Sequence, residues 1–399
     1  MITPRNAAYY VDASLEDGTD RGIEVVRTKA FELSSFLKRF VPGRTRNGTN
    51  ASGSITRPLD GNRLVNAVRR TVRTWVYIPD GQIGWYPYAL SASQKVDKMR
   101  GVDAIFSTAF PITSHLVAYK LKCATNKPWI ADFRDLWTEN HCGIYTSRLR
   151  KRLDQVIEGE LLDKADALIT VSDRLAETLR DLTGGRKRVE VIRNGFDEAD
   201  FDGIERRPLS KWTITIMGTF YSFVYDPSPC LRALRRLMKS GKIDRSDVQF
   251  KIIGDVNPFV TKLVESFGLE DVSSFTGFLQ QREVLRHEVN SSLLLFLVYG
   301  EKANPGVLTG KLFEYLGSRT PMLAIVPFDF EAAQIIRDTG AGTVVEPEDD
   351  AGIERCLLDS YSQFKSGVRG AAMNSADLSQ YERKQSGQQL AALLSELAG

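Results

Sequence analysis

A repeated alternation restricts the fold of this chain more than any other feature. Residues 102–107 (VDAIFS), 128–132 (PWIAD), 166–171 (DALITV) and 189–192 (VEVI) are short, β-branched apolar runs. Longer segments with helical spacing lie between them, such as 114–123 and 148–162. A second series follows at 212–217 (WTITIM), 248–253 (VQFKII), 293–298 (LLLFLV), 321–326 (PMLAIV) and 343–345 (TVV). Alternation of this kind predicts βαβ units and mostly parallel sheets. After Asp202 the polar, proline-bearing stretch GIERRPLSKW reads as a linker. The expected architecture is α/β, with two doubly wound, Rossmann-like domains over 1–205 and 206–375. A C-terminal helix over 376–399 would follow, with Leu390, Leu393, Leu394 and Leu397 on its apolar face and the option of crossing back to the first domain.

The opening of the chain departs from this plan. Residues 1–22 (MITPRNAAYYVDASLEDGTDRG) offer neither a strand nor a glycine-rich turn, so the first domain is expected to lack its opening strand. Residues 41–62 are rich in Gly, Ser and Thr and predict a flexible flap.

Composition narrows the class. The 399 residues are 42% hydrophobic and 26% charged, which suits a soluble globular chain with more than one core. A net charge of +3 argues against a nucleic-acid partner. Locally, Lys38, Arg39, Arg44, Arg46, Arg57, Arg63, Arg69, Arg70 and Arg73 face the single acid Asp60. The 38–73 stretch therefore reads either as a solvated loop or as a patch for anionic membrane headgroups or a pyrophosphate-linked acceptor. Cys123, Cys142, Cys230 and Cys356 are spaced for neither disulfides nor zinc. No signal-peptide pattern opens the sequence, and the longest apolar run, Leu293 to Tyr299, is too short to span a bilayer. These features predict a cytoplasmic setting, at most against the inner face of the membrane.

Candidate site residues gather at strand ends. Strand 212–217 runs into Gly218-Thr219, and strand 248–253 into Gly254-Asp255, where small residues let backbone approach a phosphate. In FTGFL (275–279), Gly277 and Phe278 offer main-chain groups to a base edge, or else only a tight turn. The stretch GVLTGKLFEYLGSRTP (306–321) predicts a helix with Thr309 as N-cap and Gly310 and Lys311 in the first turn. Free N–H groups and a lysine at a helix start suit a diphosphate, and Glu314 one turn on can accept hydrogen bonds from a ribose diol. In the first domain, strand 128–132 delivers Asp132, Arg134 and Asp135, which read as a site or as a structural ion-pair network. His115 follows PITS at a helix start and reads as an acceptor contact or general base, or as a cap. His287 reads as solvated, and His141 as a weaker candidate. Asp200-Phe201-Asp202 falls in a loop, so no metal site is predicted.

Four stretches together carry a resemblance: KLFEYLGSRTP, ADALITVSDRLAETL, VEVIRNGFDEADF and PWIADFRDLWTEN. In their order along the chain they resemble the GT-B glycosyltransferases, specifically retaining family 4 members of the KlfEYL type. The resemblance implies two Rossmann-like domains facing a cleft, with a nucleotide-diphosphate sugar as donor substrate, no cofactor and no metal. It implies Glu314 at the ribose and Thr309, Gly310 and Lys311 at the diphosphate. Gly218, Thr219 and Asp255 would lie at phosphate-facing turns, and Gly277 and Phe278 beside the base. Asp135, Arg134 and His115 would serve a hydroxyl acceptor, which is a glycan, a lipid-linked species or a small molecule. Two departures stand out. The family's paired glutamates are separated by seven residues, but the residue eight before Glu314 is Gly306, and the nearest upstream acid is Glu301. The basic residues that often follow the first strand of the second domain are missing from GTFYSFVYDPSP. An impaired nucleotide-sugar-binding scaffold and a sugar-nucleotide epimerase or hydrolase are the alternative readings.

Overall fold

The computed structural model describes residues 1–5, 22–31, 74–140, 145, 147–220, 225–300, 303–367 and 377–399. The basic 38–73 stretch, the 41–62 flap, His141, Cys142 and Glu301 lie outside the described residues. The chain divides into two compact units. Unit 1 comprises Met1–Val171, Leu175–Val191 and Ala391–Gly399, and unit 2 comprises Ser172–Arg174 and Ile192–Leu390.

Unit 1 is built on a four-stranded parallel sheet whose strands lie side by side in chain order. These are β3 (Ile105–Ala109), β4 (Trp129–Phe133), β5 (Ala167–Thr170) and β6 (Arg188–Val191), alternating with helices α2 (Thr113–Thr125), α3 (Arg148–Lys164) and α4 (Asp173–Leu182). Every residue of β4 and β5 is buried, as strands packed on both faces require. Helix α1 (Tyr86–Arg100) packs on α2 and on a separate two-stranded sheet. That sheet corrects the expectation of a first domain without an opening strand. β1 (Ile2–Pro4) pairs in parallel with β2 (Val26–Thr28), with Ile2 opposite Val26. Three residues are too few to show a period, so its partner, not its pattern, defines the strand.

Unit 2 carries six parallel strands: β7 (Trp212–Thr219), β8 (Val248–Asp255), β9 (Ser273–Gly277), β10 (Leu293–Leu297), β11 (Met322–Ile325) and β12 (Gly342–Val345). Their spatial order is β12-β11-β10-β7-β8-β9. Alternate residues of one strand enter two different cores. Leu293, Leu295 and Leu297 join Leu231, Leu234 and Val260 from helices α5 (Ser228–Lys239) and α6 (Pro258–Phe267). Leu294 and Phe296 join Leu312, Phe313 and Ile336 from helices α8 (Gly310–Ser318) and α9 (Glu331–Asp338). Two covered faces explain why LLLFL is apolar without interruption. Burying each such side chain contributes roughly 1.5–3 kcal/mol. The remaining helices are α7 (Gln281–Val289), α10 (Asp350–Lys365) and α11 (Arg383–Ala398).

The connections from β7 lead to one side of the sheet and those from β10 to the other. Strand order therefore reverses between these two neighbours, which makes a topological switch point. At its edge Gly218 lies opposite Gly254, and both have positive φ, +122° and +118°. A Cβ on Gly254 would stand 2.5 Å from the Gly218 carbonyl oxygen, a backbone atom that cannot step aside. Gly254→Ala is expected to destabilise unit 2 by about 1–3 kcal/mol, from backbone strain and this clash together. The midpoint of denaturant unfolding measures it.

Candidate functional site

The site is assembled at the switch point of unit 2. Helix α8 begins after Thr309, whose extended backbone (φ −73°, ψ 149°) is that of an N-cap. Its hydroxyl nevertheless makes no capping bond and is buried without a partner. The first N–H groups of α8 are thus left without a side-chain acceptor, a ready arrangement for an anion. Leu312, Phe313, Tyr315 and Leu316 bury three sides of the helix, which leaves Lys311 and Glu314, one turn apart, as its half-buried charged pair. The helix stops at Arg319, held in the left-handed region (φ 53°) ahead of Thr320-Pro321.

Lys311 does not extend into solvent. Its Nζ donates to the Met217 carbonyl at 3.1 Å and stands 4.8 Å from the centroid of the Tyr225 ring. A Cβ on Gly218 would come within 2.3 Å of the same nitrogen, so the absence of a side chain at Gly218 makes the approach possible. Ile216, Met217, Phe220, Tyr225, Lys311 and Tyr315 line the narrow crevice in which the ammonium lies. Burial lowers the Lys311 pKa to about 8, although Glu314 pulls it upward. An ammonium has three donors, so those not used by Met217 remain for an anion at the strand end.

Glu314 accepts no hydrogen bond from any described residue. Burial raises its pKa, while Arg383 and then Lys311 pull it down. Arg383, at the start of α11, binds the Gly195 carbonyl at 3.1 Å and Asp200 at 3.3 Å. The acidic triplet Asp200-Phe201-Asp202 therefore begins in an ion pair, and Phe201 packs beside Gly317 of α8. Among the described residues, no group of three or more His, Cys, Asp or Glu side chains converges as a metal site would. Thr219 lies opposite Asp255 at the neighbouring strand end. Gly277 (φ +71°) ends β9 opposite Ile253, just after an irregularity in the register, and is followed by Phe278, an exposed aromatic.

The candidates of unit 1 are arranged differently. His115 is 0% exposed and packs 4.5 Å from the Phe133 ring centroid. Its Nδ1 shares a 2.7 Å hydrogen bond with the Ser107 hydroxyl, which in turn accepts from Trp129 Nε1 at 2.9 Å. Burial lowers its pKa to about 3, so it is neutral at physiological pH and presents no atom to a solute. Instead of standing at a rim, His115 braces β3 against β4. Asp132 is buried and pairs with Arg134 Nε at 3.1 Å, leaving its other oxygen without a partner. Burial raises its pKa against the pull of Arg134. Arg134 and Asp135 are half-buried just beyond the end of β4.

Sequence reading missed three contributors: Tyr225, Arg383 and Glu288. Tyr225 and Arg383 belong to segments far from α8 in sequence, and no local signal marks them. Glu288, in α7, is completely buried, and neither carboxyl oxygen has a hydrogen-bond partner among the described residues. Burial, with Glu314 nearby, pushes its pKa well up, so Glu288 is a neutral acid.

Residues 20–195 match the family described as glycosyl transferase 4-like domain. No curated protein matches the chain in sequence. Among solved structures, it is similar to sucrose-phosphate synthase from Thermosynechococcus elongatus, with a TM-score of 0.57 and 15% identity over 79% of this chain and 78% of that one. Anabaena HepE in complex with UDP and glucose gives 0.55 and 15% identity, over 77% and 81% of the two chains. A Listeria monocytogenes protein described as a UDP-N-acetylglucosamine 2-epimerase gives 0.50 and 15% identity, over 79% of each chain. These likenesses establish the fold as GT-B, with two Rossmann-like parallel sheets.

The buried acid supplies a test of the electrostatics. A carboxyl whose folded pKa lies above its unfolded value of 4.5 stabilises the fold below that pH and loses the contribution as pH rises toward the folded value. Glu288→Gln keeps the shape and removes this linkage. Its stability relative to the parent chain is expected to grow as pH rises above 4.5 toward the folded value. Thermal or denaturant melts across that range measure the trend.

Proposed function

We infer that this chain is a retaining glycosyltransferase, which moves a sugar from a nucleoside-diphosphate sugar to an acceptor hydroxyl. The observation that carries the reading is the meeting of the Lys311 ammonium, the uncapped start of α8 and the Gly218 turn at the switch point of unit 2. The match of residues 20–195 to a glycosyl transferase 4-like domain supports it, as do structural neighbours described with UDP and sugars.

In this reading the diphosphate lies against the N–H groups of Gly310 and Lys311 and the Lys311 ammonium, with Gly218, Thr219 and Asp255 at the adjoining strand ends. Glu314 accepts from the ribose hydroxyls, and Gly277 and Phe278 meet the base, Phe278 by stacking. The acceptor oxygen bonds to the anomeric carbon on the face from which the diphosphate leaves, through an oxocarbenium-like state. The acceptor's proton passes to the departing phosphate oxygen. Negative charge develops on that leaving group, where Lys311 and the helix start are aimed, and one preorganised donor of this kind is worth roughly 10²-fold in rate. No step of the scheme is routed through a metal. Arg134 and Asp135 are the unit 1 groups assigned to the acceptor, and His115 supports the strand beneath them. Assembly of a polysaccharide or other glycoconjugate is the setting that suits such an activity.

Donor screening tests the reading. By calorimetry, the protein should bind one of UDP, GDP or TDP, and it should slowly hydrolyse one matching nucleotide sugar. Glu314→Ala should lose nucleotide affinity by about tenfold or more, as expected for hydrogen bonds to a charged group. Absence of binding by all three nucleotides would remove the enzyme reading. Epimerisation of the donor without transfer would favour the epimerase alternative.

The lysine gives a pH signature. Lys311 is charged below about pH 8 and loses its proton above it, so nucleotide affinity should weaken as pH rises through that value. A bound diphosphate moves the midpoint upward, because it favours the ammonium. Lys311→Met should bind weakly at every pH and show no such limb in the calorimetric titration.

A further inference from the structure

Unit 2 exposes few large apolar side chains, and they are not scattered. Among its described residues they are Val256, Phe278 and Phe328, at 40%, 52% and 49%. Each follows the carboxyl end of a strand: Val256 comes after β8, Phe278 after β9 and Phe328 after β11. Single apolar residues on a surface need no explanation, but the confinement of all three to one edge of the sheet does. Ligands of open parallel sheets lie beyond that edge.

Strand order spaces these residues along the site. Across the sheet from β9 come β8, β7, β10, β11 and β12. Val256 and Phe278 stand at β8 and β9, on the side assigned to the base. Gly218 ends β7 at the switch point, where Lys311 meets it. Phe328 lies beyond β10, at β11, and neighbouring strands are ~4.8 Å apart. In a nucleoside-diphosphate sugar the base, the diphosphate and the sugar follow one another in a line. With the base at β8 and β9 and the diphosphate at the switch point, the sugar falls toward β11.

The turn that carries Phe328 is held at both of that residue's main-chain groups. Its N–H donates to Glu346 Oε1 at 2.8 Å, and its carbonyl accepts from Arg337 Nη2 at 2.9 Å. Arg337 also donates to Gln334 Oε1 at 3.2 Å, and its guanidinium stands 5.8 Å from the centroid of the Phe328 ring. Three residues on, the Glu331 N–H donates to the Pro305 carbonyl at 3.0 Å, which ties the segment to the loop leading into α8. The ring is thus exposed on a fixed turn, so a contact with it costs little ordering. Asp329 beside it is exposed as well, and no described residue binds its carboxylate. Glu346 and Arg337 offset each other's charge, which leaves Asp329 as the net charge of the tip. A rigid aromatic face next to an acceptor-only carboxylate matches a sugar ring. The electron-rich face attracts the C–H side of a pyranose, and the carboxylate accepts from its hydroxyls. A sugar with a carboxylate of its own would meet Asp329 with like charge.

We propose that Phe328 and Asp329 form a sugar subsite on unit 2 that selects a neutral hexose as the donor's sugar. The hexose stacks on Phe328 and donates a hydroxyl hydrogen bond to Asp329, while a hexuronate is turned away by charge. This selection rests on the nucleotide-sugar reading of the switch point and adds the class of sugar that the site admits.

Calorimetric titration of the full chain with UDP, UDP-glucose, UDP-galactose and UDP-glucuronate is the test. GDP with GDP-mannose and TDP with TDP-glucose, each beside the matching uronate, run in parallel. The parent chain should bind a hexose conjugate more tightly than the uronate of the same nucleotide. Phe328→Ala should leave binding of the free nucleotide unchanged and weaken the hexose conjugate by about fivefold, the worth of one aromatic contact. Phe328→Leu should behave the same way, and Phe328→Tyr, which keeps the ring, should bind as the parent does. Asp329→Asn should narrow the preference for hexose over uronate by about fivefold, as removal of one like charge near the surface predicts. Both side chains are exposed, and unchanged circular dichroism checks each variant; if Phe328→Ala misfolds, Phe328→Leu carries the comparison. Unchanged hexose affinity in the variant that lacks the ring overturns the proposal. An equal loss for free nucleotide and conjugate also overturns it, because the ring then serves the nucleotide or the fold. So does a parent chain that binds the uronate as tightly as the hexose. Failure of the parent chain to bind any free nucleotide is a separate result, which removes the nucleotide-sugar reading itself and this subsite with it.

Discussion

The close approach of three chain segments at one sheet edge governs unit 2. Gly254 admits the Gly218 carbonyl, Gly218 admits the Lys311 side chain, and Lys311 returns a hydrogen bond to Met217. The first two steps need the absence of a Cβ, and the two glycines adopt backbone angles that other residues avoid. The result is a positive charge held against the carboxyl ends of parallel strands, where the sheet order reverses. A surface lysine would be as positive, but it would be screened and mobile. This one is fixed, partly dehydrated and correspondingly effective toward an anion.

The same packing creates the electrostatic contrasts around it. Lys311 and Glu314 lie a turn apart on a helix otherwise submerged in core, so both charges incur desolvation. Their pKa values move toward neutrality for that reason. Glu288 goes further and is held as a neutral acid near Glu314. Three titratable groups in one neighbourhood thus have separated tendencies: a lysine softened toward neutral pH, a carboxyl raised by burial against the pull of Arg383 and Lys311, and a second carboxyl pushed further up by burial beside it. Functional sites collect such contrasts, although ordinary ion-pair networks also produce them.

Unit 1 shows the complementary lesson. Its described histidine, His115, and its Asp132–Arg134 pair stand around β4, yet His115 is wholly enclosed, and its ring is committed to Ser107. The charges of α3 behave likewise, since Arg150 and Asp154 serve the fold and leave the helix's aliphatic residues outward. In both places residue type alone suggests a role that burial reverses.

Much of the fold was legible in the sequence. The nine apolar runs all contain strands, and among the described residues only β1, β2 and β9 escaped. The first two are too short for a period, and β9, SSFTG, is too polar to stand out. The helix bearing Lys311 and Glu314 was legible too, because its start, apolar spacing and stop are local properties of 309–321. Local chemistry could not supply the partners. Met217, Tyr225, Arg383 and Glu288 come from distant segments that only sheet order and core packing bring to α8. Nor could sequence say which charges are buried, since the same Arg, Asp or His is a solvated group or an interior brace depending on what packs over it. The chain's own pattern determined strands, helices and the identity of the charged groups. Tertiary structure decided their neighbours and their dielectric surroundings, because those depend on contacts between residues far apart along the chain.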